Sequence, residues 1–459
     1  MNTKRMLCAA LAVTTAASLM LSGCERKEAG KSAVTTVSIW TGDGGSKAVM
    51  TELVNEFNNS VGKEKGIKIE YEVKEGDIKE QIELALTTDQ APDLFIADQT
   101  QKYAESGYIA ALEDLPGGKE LIERYDPSEL REYSHTYKGK TYYLPFSRNL
   151  YGLIYNKDMF KAAGIVDEKG NAKPPETYAE LRETAKKLTD VSKKQFGIIF
   201  PLKWGSWLNQ EVVSSLMSSY GRNYYIPNEG KYDFSIMKEP LETVMGIKKD
   251  GSCYPGAENI DNDVARARFA EGNIGMKYGV SWDVGVLNDQ FPAKCDWGVA
   301  PLPTADKEHK YMQHSSVGIG PYINAKSVKT KDADKIMEVY KWYHSDELAK
   351  ELYEKGAYIP WDYSIIKGVK LKNAKKGWKE FAALGDISVT SPIMLRCDLS
   401  GKTDIGVMFL NDVWSQKSSV DSFISKATAN YTDGAKKYKE LNPDYDTSIA
   451  ITEKWNTER

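Results

Sequence analysis

The residues of this chain that could do chemistry on a solute are indoles, phenols, carboxylates, an amide and guanidiniums at the ends of predicted elements. Trp40, Trp204, Trp207, Trp282, Tyr358 and Trp361 are the aromatic candidates, and Asp43, Asp98, Arg148, Asn149 and Arg396 the polar ones. The composition frames that choice. The aromatic fraction is 11%, with 27 Tyr and 10 Trp, somewhat more than a core requires, and much of it falls in loops. A sugar presents C–H patches on its faces and hydroxyls around its rim, so rings can stack on the first while Asp, Asn and Arg hydrogen-bond the second. Each candidate has a plainer alternative. An aromatic side chain is more often core than platform, and Arg148 would serve equally as an ion-pair partner between two lobes. Arg396 rests on little more than its loop context, Pro392 to Asp398.

Other chemistries find less support. The turn Gly42-Asp43-Gly44-Gly45-Ser46 is glycine-rich, but Lys47 follows Ser46 in the wrong order for a phosphate-cradling loop. There is no Gly-x-Ser-x-Gly elbow and no His-Glu-x-x-His, and His135, His309, His314 and His344 are scattered. Asp261 and Asp263 lack the glycine and terminal Glu of a calcium loop and are expected to cap a helix. No metal and no cofactor is expected. A glycoside hydrolase would need two carboxylates across a cleft, which 65 acidic residues leave open as the alternative. A formal charge of -4 without a basic stripe argues against nucleic acid.

The elements that must position these residues begin after a leader. Lys4 and Arg5, the apolar run Met6 to Leu21 and Leu21-Ser22-Gly23-Cys24 read as a secretory signal over residues 1–23. The last four residues resemble the lipobox of bacterial lipoproteins, which implies a lipid on Cys24, an anchor to the outer face of the cell membrane, and a flexible tether over 24–36. Cys253, Cys295 and Cys397 remain, as one bridge and a free thiol or as three thiols.

At 459 residues the chain exceeds the size at which one core keeps growing, so two lobes are expected. Val37 and Ile39 alternate in a first strand, Ile67, Ile69, Tyr71 and Val73 in a second, and Leu94 to Ala97 form a short buried third. Helices lie between them, one capped by Asp43 or Ser46 and one by Asp77. This is an α/β pattern whose ligands sit beyond the carboxyl ends of the strands, where Trp40 to Asp43 and Asp98 fall. Pro145 precedes a strand over Tyr151 to Tyr155, and Ala300-Pro301-Leu302-Pro303 precedes one at Gly318 to Gly320. Both proline segments are expected to be irregular crossings between lobes, which implies a cleft. Thr177 and Glu180 form a capping box, and Ser345 caps the second helix of a pair that returns to the first lobe.

The order and spacing of several runs resemble the extracellular solute-binding proteins of ABC importers, specifically the carbohydrate-binding, maltose-binding-protein-like group. They are Ala91-Pro92-Asp93, the Gly-Lys-x-Tyr-x-Leu-Pro-Phe run ending at Phe146, Tyr155 to Asp158, Pro175 to Leu181, Phe269 to Met276, Gly298 to Pro303 and Gly356 to Pro360. The resemblance implies a two-lobe periplasmic-binding-protein-like fold with a hinged interlobe cleft. It implies a first lobe of 34–148 with 304–365 and a second of 149–303 with 366–459. It also implies capture of a carbohydrate by a monomer that delivers it to permease subunits, and the abundant aromatic residues favour an oligosaccharide over a monosaccharide. It favours Trp282, Asp98 and Asn149 as ligand contacts. A protein that reports to a membrane sensor has the same sequence signature, and a peptide, polyol or glycerol phosphate ligand stays open.

Overall fold

The computed structural model describes residues 34–308, 310–453 and 455. The expected signal segment, Cys24 and all but the end of the tether lie outside the described residues. The first strand already begins at Thr35, inside the stretch expected as tether.

Alternation turns Val37 and Ile39 inward on the strand Thr35–Thr41, where both are fully buried. This strand pairs in parallel with Ile67–Val73 on one edge and with Leu94–Phe95 on the other, and Tyr322–Ile323 closes the sheet antiparallel. The helix Lys47–Asn59 buries Met50, Leu53, Val54 and Phe57 against it. Asp77 caps the helix Ile78–Thr87 by accepting from the backbone N–H of Lys79 (3.0 Å) and Glu80 (3.2 Å). Ile336, Val339 and Tyr340 on the helix Ala333–Tyr343 join the same core, as do Leu348 and Leu352 on Asp346–Glu354. Ser345 caps the latter through the N–H of Leu348, as expected.

The second sheet is organised on the strand Ser147–Asn156. Ile274–Val280 runs antiparallel to its C-terminal half on one edge, and Trp297–Ala300 pairs with that half on the other. Gln313–Gly318 pairs with Ser147 to Leu150, and Phe196–Ile198 and Ser388–Thr390 complete the sheet. Its faces are covered by two apolar clusters, one around Leu153, Phe200, Trp207 and Phe409, the other around Ile154, Phe269, Trp297 and Trp378. Tyr353 and Ile359 belong to the latter.

The crossings differ from expectation in two respects. Pro301 to Pro303 is irregular, as two residues without an N–H dictate, yet the strand alongside the first crossing is Gln313–Gly318. It ends at Gly318 instead of continuing to Gly320, and Tyr322–Ile323 then joins the first sheet. The strand expected from Tyr151 starts at Ser147, because Gly318 comes into register beside it. A Cβ on Gly318 would collide with Ser147 Oγ, so this approach requires glycine. Ser147 also bridges to Pro360, and the Arg148 N–H donates to the Ile359 carbonyl at 2.8 Å. Three separate stretches of chain thus meet at one point.

Candidate functional site

The site is built on the turn that follows the first strand. Asp43 ties this turn: its Oδ1 accepts from the N–H groups of Gly45 (2.9 Å) and Ser46 (3.3 Å). Its Oδ2 accepts from the hydroxyls of Ser46 (2.9 Å) and Tyr358. Of the two expected caps of the helix Lys47–Asn59, the Ser46 side chain makes none, since its hydroxyl is committed to Asp43, and Asp43 reaches only the N–H of Ser46 just ahead of the helix. Burial, and then the Asp43 charge, drive the Tyr358 phenol far above its ordinary range, which keeps it a donor.

Three further segments converge on this turn. The strand Leu94–Phe95 runs out through Ile96 and Ala97 to an exposed Asp98. Asn149 projects from the long strand, its Nδ2 donating to Ser316 Oγ at 3.2 Å. Trp282 follows the strand Ile274–Val280, at the entrance to the short helix Asp283–Gly285. A cavity of about 470 Å³ lies between them, lined by Asp43, Asp98, Asn149, Trp282 and Tyr358. Ile96, Phe146, Val317 and Ile319 supply apolar wall, and Thr41, Ser147 and Lys79 further polar groups. Ligand pockets commonly run from about 300 to about 1,000 Å³ and are mostly apolar with a few placed polar groups. Flat rings, aliphatic wall and hydrogen-bonding side chains in one hollow suit a molecule with both C–H faces and hydroxyls.

The other sequence candidates lie elsewhere. Trp40 packs partly buried beside Ile82 and Phe95, with the Lys74 ammonium 3.6 Å above its ring. Arg148 and Trp361 line a separate cavity of about 350 Å³, the guanidinium 5.0 Å from the indole and the Trp361 N–H donating to Glu129 at 2.7 Å. Arg148 forms no ion pair among the described residues. Arg396 borders a third cavity, of about 340 Å³, which it shares with Asp98, and its guanidinium sits 5.1 Å from Tyr133 and 5.3 Å from Tyr438. Trp204 packs partly buried against the second core. Trp207 lies inside that core, between Phe200 and Phe409 at 5.9 and 5.6 Å.

Sequence reasoning passed over Phe146, Ile96 and Ile319. The last two follow directly on strand ends, which was a usable signal. Phe146 reads as core, and it does contact Tyr343 (4.6 Å) and Tyr358 (5.1 Å) while lining the cavity. Cys253, Cys295 and Cys397 are all free thiols, which settles the alternatives left by their spacing. Asp261 caps the helix Asn262–Ala270 through the Val264 N–H at 3.0 Å. Among the described residues no helix is long and apolar enough to cross a membrane.

Comparison with known proteins identifies the family and the fold. The family model of the bacterial extracellular solute-binding proteins matches residues 52–383. A maltotriose-binding protein of Pyrococcus abyssi is 28% identical over 313 residues, 67% of this chain and 62% of that protein. The sn-glycerol-3-phosphate-binding periplasmic protein UgpB of Brucella melitensis is 25% identical over 343 residues, 72% of this chain and 75% of its own length. Among solved structures, the GacH receptor of Streptomyces glaucescens superposes with a TM-score of 0.69 at 20% identity, covering 90% of this chain and 99% of the receptor. The shared architecture is the two-lobe α/β fold.

Proposed function

The chain belongs to the bacterial extracellular solute-binding protein family, and on that premise we propose that it captures a carbohydrate, an oligosaccharide, between its lobes and delivers it to the permease subunits of an ABC transporter. The observation that carries this reading is the cavity that gathers Trp282, Asn149, Asp98, Asp43 and Tyr358 from distant parts of the chain. The moving halves in this reading are 34–148 with 304–365 and 149–303 with 366–459, with Ser147 to Leu150 and the strand Gln313–Gly318, which pair with each other in the second sheet, forming the hinge between them. Ligand favours the closed form to the extent that it contacts both at once. The protein acts as a monomer, held at the outer face of the cell membrane by lipid on Cys24.

Two relatives name different ligands, a maltotriose and a glycerol phosphate, and the lining speaks for the first. Its charged groups are Asp43, Asp98 and Lys79, a net negative wall that disfavours a phosphate, with the exposed Asp98 carboxylate as an acceptor for hydroxyls. The same detail speaks against glycoside hydrolysis. A carboxyl that already accepts from four protein donors, as Asp43 does, is poorly placed to exchange a proton with a substrate.

Calorimetric titration of the chain with maltotriose, longer glycans, monosaccharides, peptides and sn-glycerol 3-phosphate tests this. Saturable binding of an oligosaccharide with no product on chromatography is the expected result. Binding of glycerol phosphate or peptide in place of every sugar overturns the substrate class, and turnover of a glycan overturns the binding role.

A further inference from the structure

Behind Trp282 lies a group of charged side chains that ligand capture as described does not use. Lys277, on the strand Ile274–Val280, and Asp283 each have a side chain only 1% exposed, and Glu211 2%. The Lys277 ammonium donates to the Tyr278 carbonyl at 2.6 Å, lies 3.3 Å from Asp283 Oδ2 and 3.8 Å from Glu211 Oε1. Arg266, on the helix Asn262–Ala270, donates through Nε to Asp283 Oδ1 at 2.7 Å and also reaches the exposed Asp263.

Asp283 connects this group to the cavity. Its Oδ2 accepts from the Val280 N–H at 3.3 Å, closing the turn from Val280 to Asp283 that carries Trp282. The turn also faces the other lobe: a Cβ on Gly285 would sit 3.5 Å from the Gly45 carbonyl oxygen, beside Asp43. Whatever holds Asp283 therefore holds Trp282 and this approach between the lobes.

Glu211 arrives from a different element, the π-helical turn Leu208–Val212 that follows the Trp204 to Trp207 loop. Its Oε2 is buried with no hydrogen-bond partner among the described residues. The titratable and charged groups that face it are Lys277 and Tyr278 from the strand, Asp283 from the turn and Arg266 from the helix. An ionised carboxylate here would be desolvated on one oxygen, so the neutral form is favoured. Burial pushes the Glu211 carboxyl up to about 8, Lys277 and Arg266 pulling against that rise and Asp283 adding to it. Burial would raise Asp283 too, but Arg266 and Lys277 overcome it and hold that carboxyl below its usual range. One ammonium thus stands between a carboxylate that is charged and a carboxyl that becomes so only in mild alkali.

We propose that Glu211 is a positioning residue for ligand capture: neutral, it leaves Lys277 on Asp283 and the Trp282 turn closed, and ionised, it draws the ammonium across and loosens that turn. Affinity then falls as pH rises. The inference rests on Trp282 being a ligand platform, and its test separates the two.

The full chain is labelled with 5-fluorotryptophan, the Trp282 resonance is assigned by its loss in Trp282→Phe, and its fluorine shift is followed from pH 6 to about 9.5 without ligand. In the wild type the resonance moves with a midpoint near that of Glu211, and in Glu211→Gln, which mimics the neutral form, it stays at its low-pH position. Maltotriose affinity, measured in parallel, is lost over the same interval in the wild type and retained in the variant. A Trp282 resonance that stays still in the wild type, or still titrates in Glu211→Gln, overturns the proposal. A resonance that behaves as expected while maltotriose does not bind at any pH supports the coupling and counts against maltotriose as the ligand.

Discussion

Tyr358 donates its hydroxyl to the Asp43 carboxylate across 315 positions of sequence, and the Ser46 hydroxyl lies 2.9 Å from each of the two oxygens. Two residues that each look like a ligand contact are thus first of all partners of one another. The phenol closes the glycine-rich turn, and with four donors on its two oxygens Asp43 lines the cavity as a fixed charge whose lone pairs are already committed.

Tyr358→Phe removes that donor while keeping the ring against Phe146. Stability is expected to fall by about 0.5–1.5 kcal/mol, the net value of one hydrogen bond, with a several-fold loss of carbohydrate affinity. Denaturant titration and calorimetry read the two effects separately; unchanged affinity would show that the phenol does not shape the site.

Trp282→Ala is expected to weaken binding by roughly 1–3 kcal/mol with little change in Tm, because the indole is only partly buried and faces the cavity. A fall in Tm of many degrees would mark it as core instead.

Trp207→Ala should do the reverse. The side chain is 0% exposed in a packed cluster, so its truncation is expected to cost about 3–5 kcal/mol of stability. Ligand affinity of the fraction that stays folded should be nearly unchanged, which titration at low temperature can check.

Gly318→Ala tests the crossing. The added methyl meets Ser147 Oγ, so the paired strands must part, at a cost of about 1–3 kcal/mol by analogy with overpacked cores. Thermal unfolding of the variant beside Gly318→Ala/Ser147→Gly, which removes the obstructing hydroxyl, should show rescue in the second.

Glu211 also sets a pH dependence of stability. Its carboxyl is raised in the folded state, so its contribution is present in full below the ordinary carboxylate range and is lost as pH rises through about 8. Glu211→Gln should therefore match the wild type near pH 4 and exceed it in Tm at pH 9. Equal Tm values at both pH values would mean that the carboxylate is neutralised by Lys277 at no cost.

Much of the scaffold was legible because its signals are local. Asp77, Thr177, Asp261 and Ser345 cap helices through N–H groups two or three residues ahead, a contact that needs no knowledge of the rest of the chain. Alternation in Thr35–Thr41 and Ile67–Val73 likewise reports a half-buried strand. The π-helical turns Leu208–Val212, Val286–Gln290 and Phe409–Trp414 were not legible, since one extra residue in a turn leaves the apolar pattern almost unchanged.

The candidate site divides along the same line. Asp43, Asp98 and Trp282 could be picked out because they follow strands, and a doubly wound sheet opens its ligand crevice at strand ends. The chain alone thus determined two lobes, the first three strands of the first sheet, and a list of rings and carboxylates at loops. Which of those rings faces the hollow was decided by packing between segments far apart in sequence. Trp204 and Trp207 share one loop with Trp282-like chemistry, yet Phe200 and Phe409 claim Trp207 for the core, while Asn149, Asp98 and Tyr358 meet Trp282 across a cavity. Periodicity says that a side chain is apolar on one face; only the folded chain says what stands opposite it.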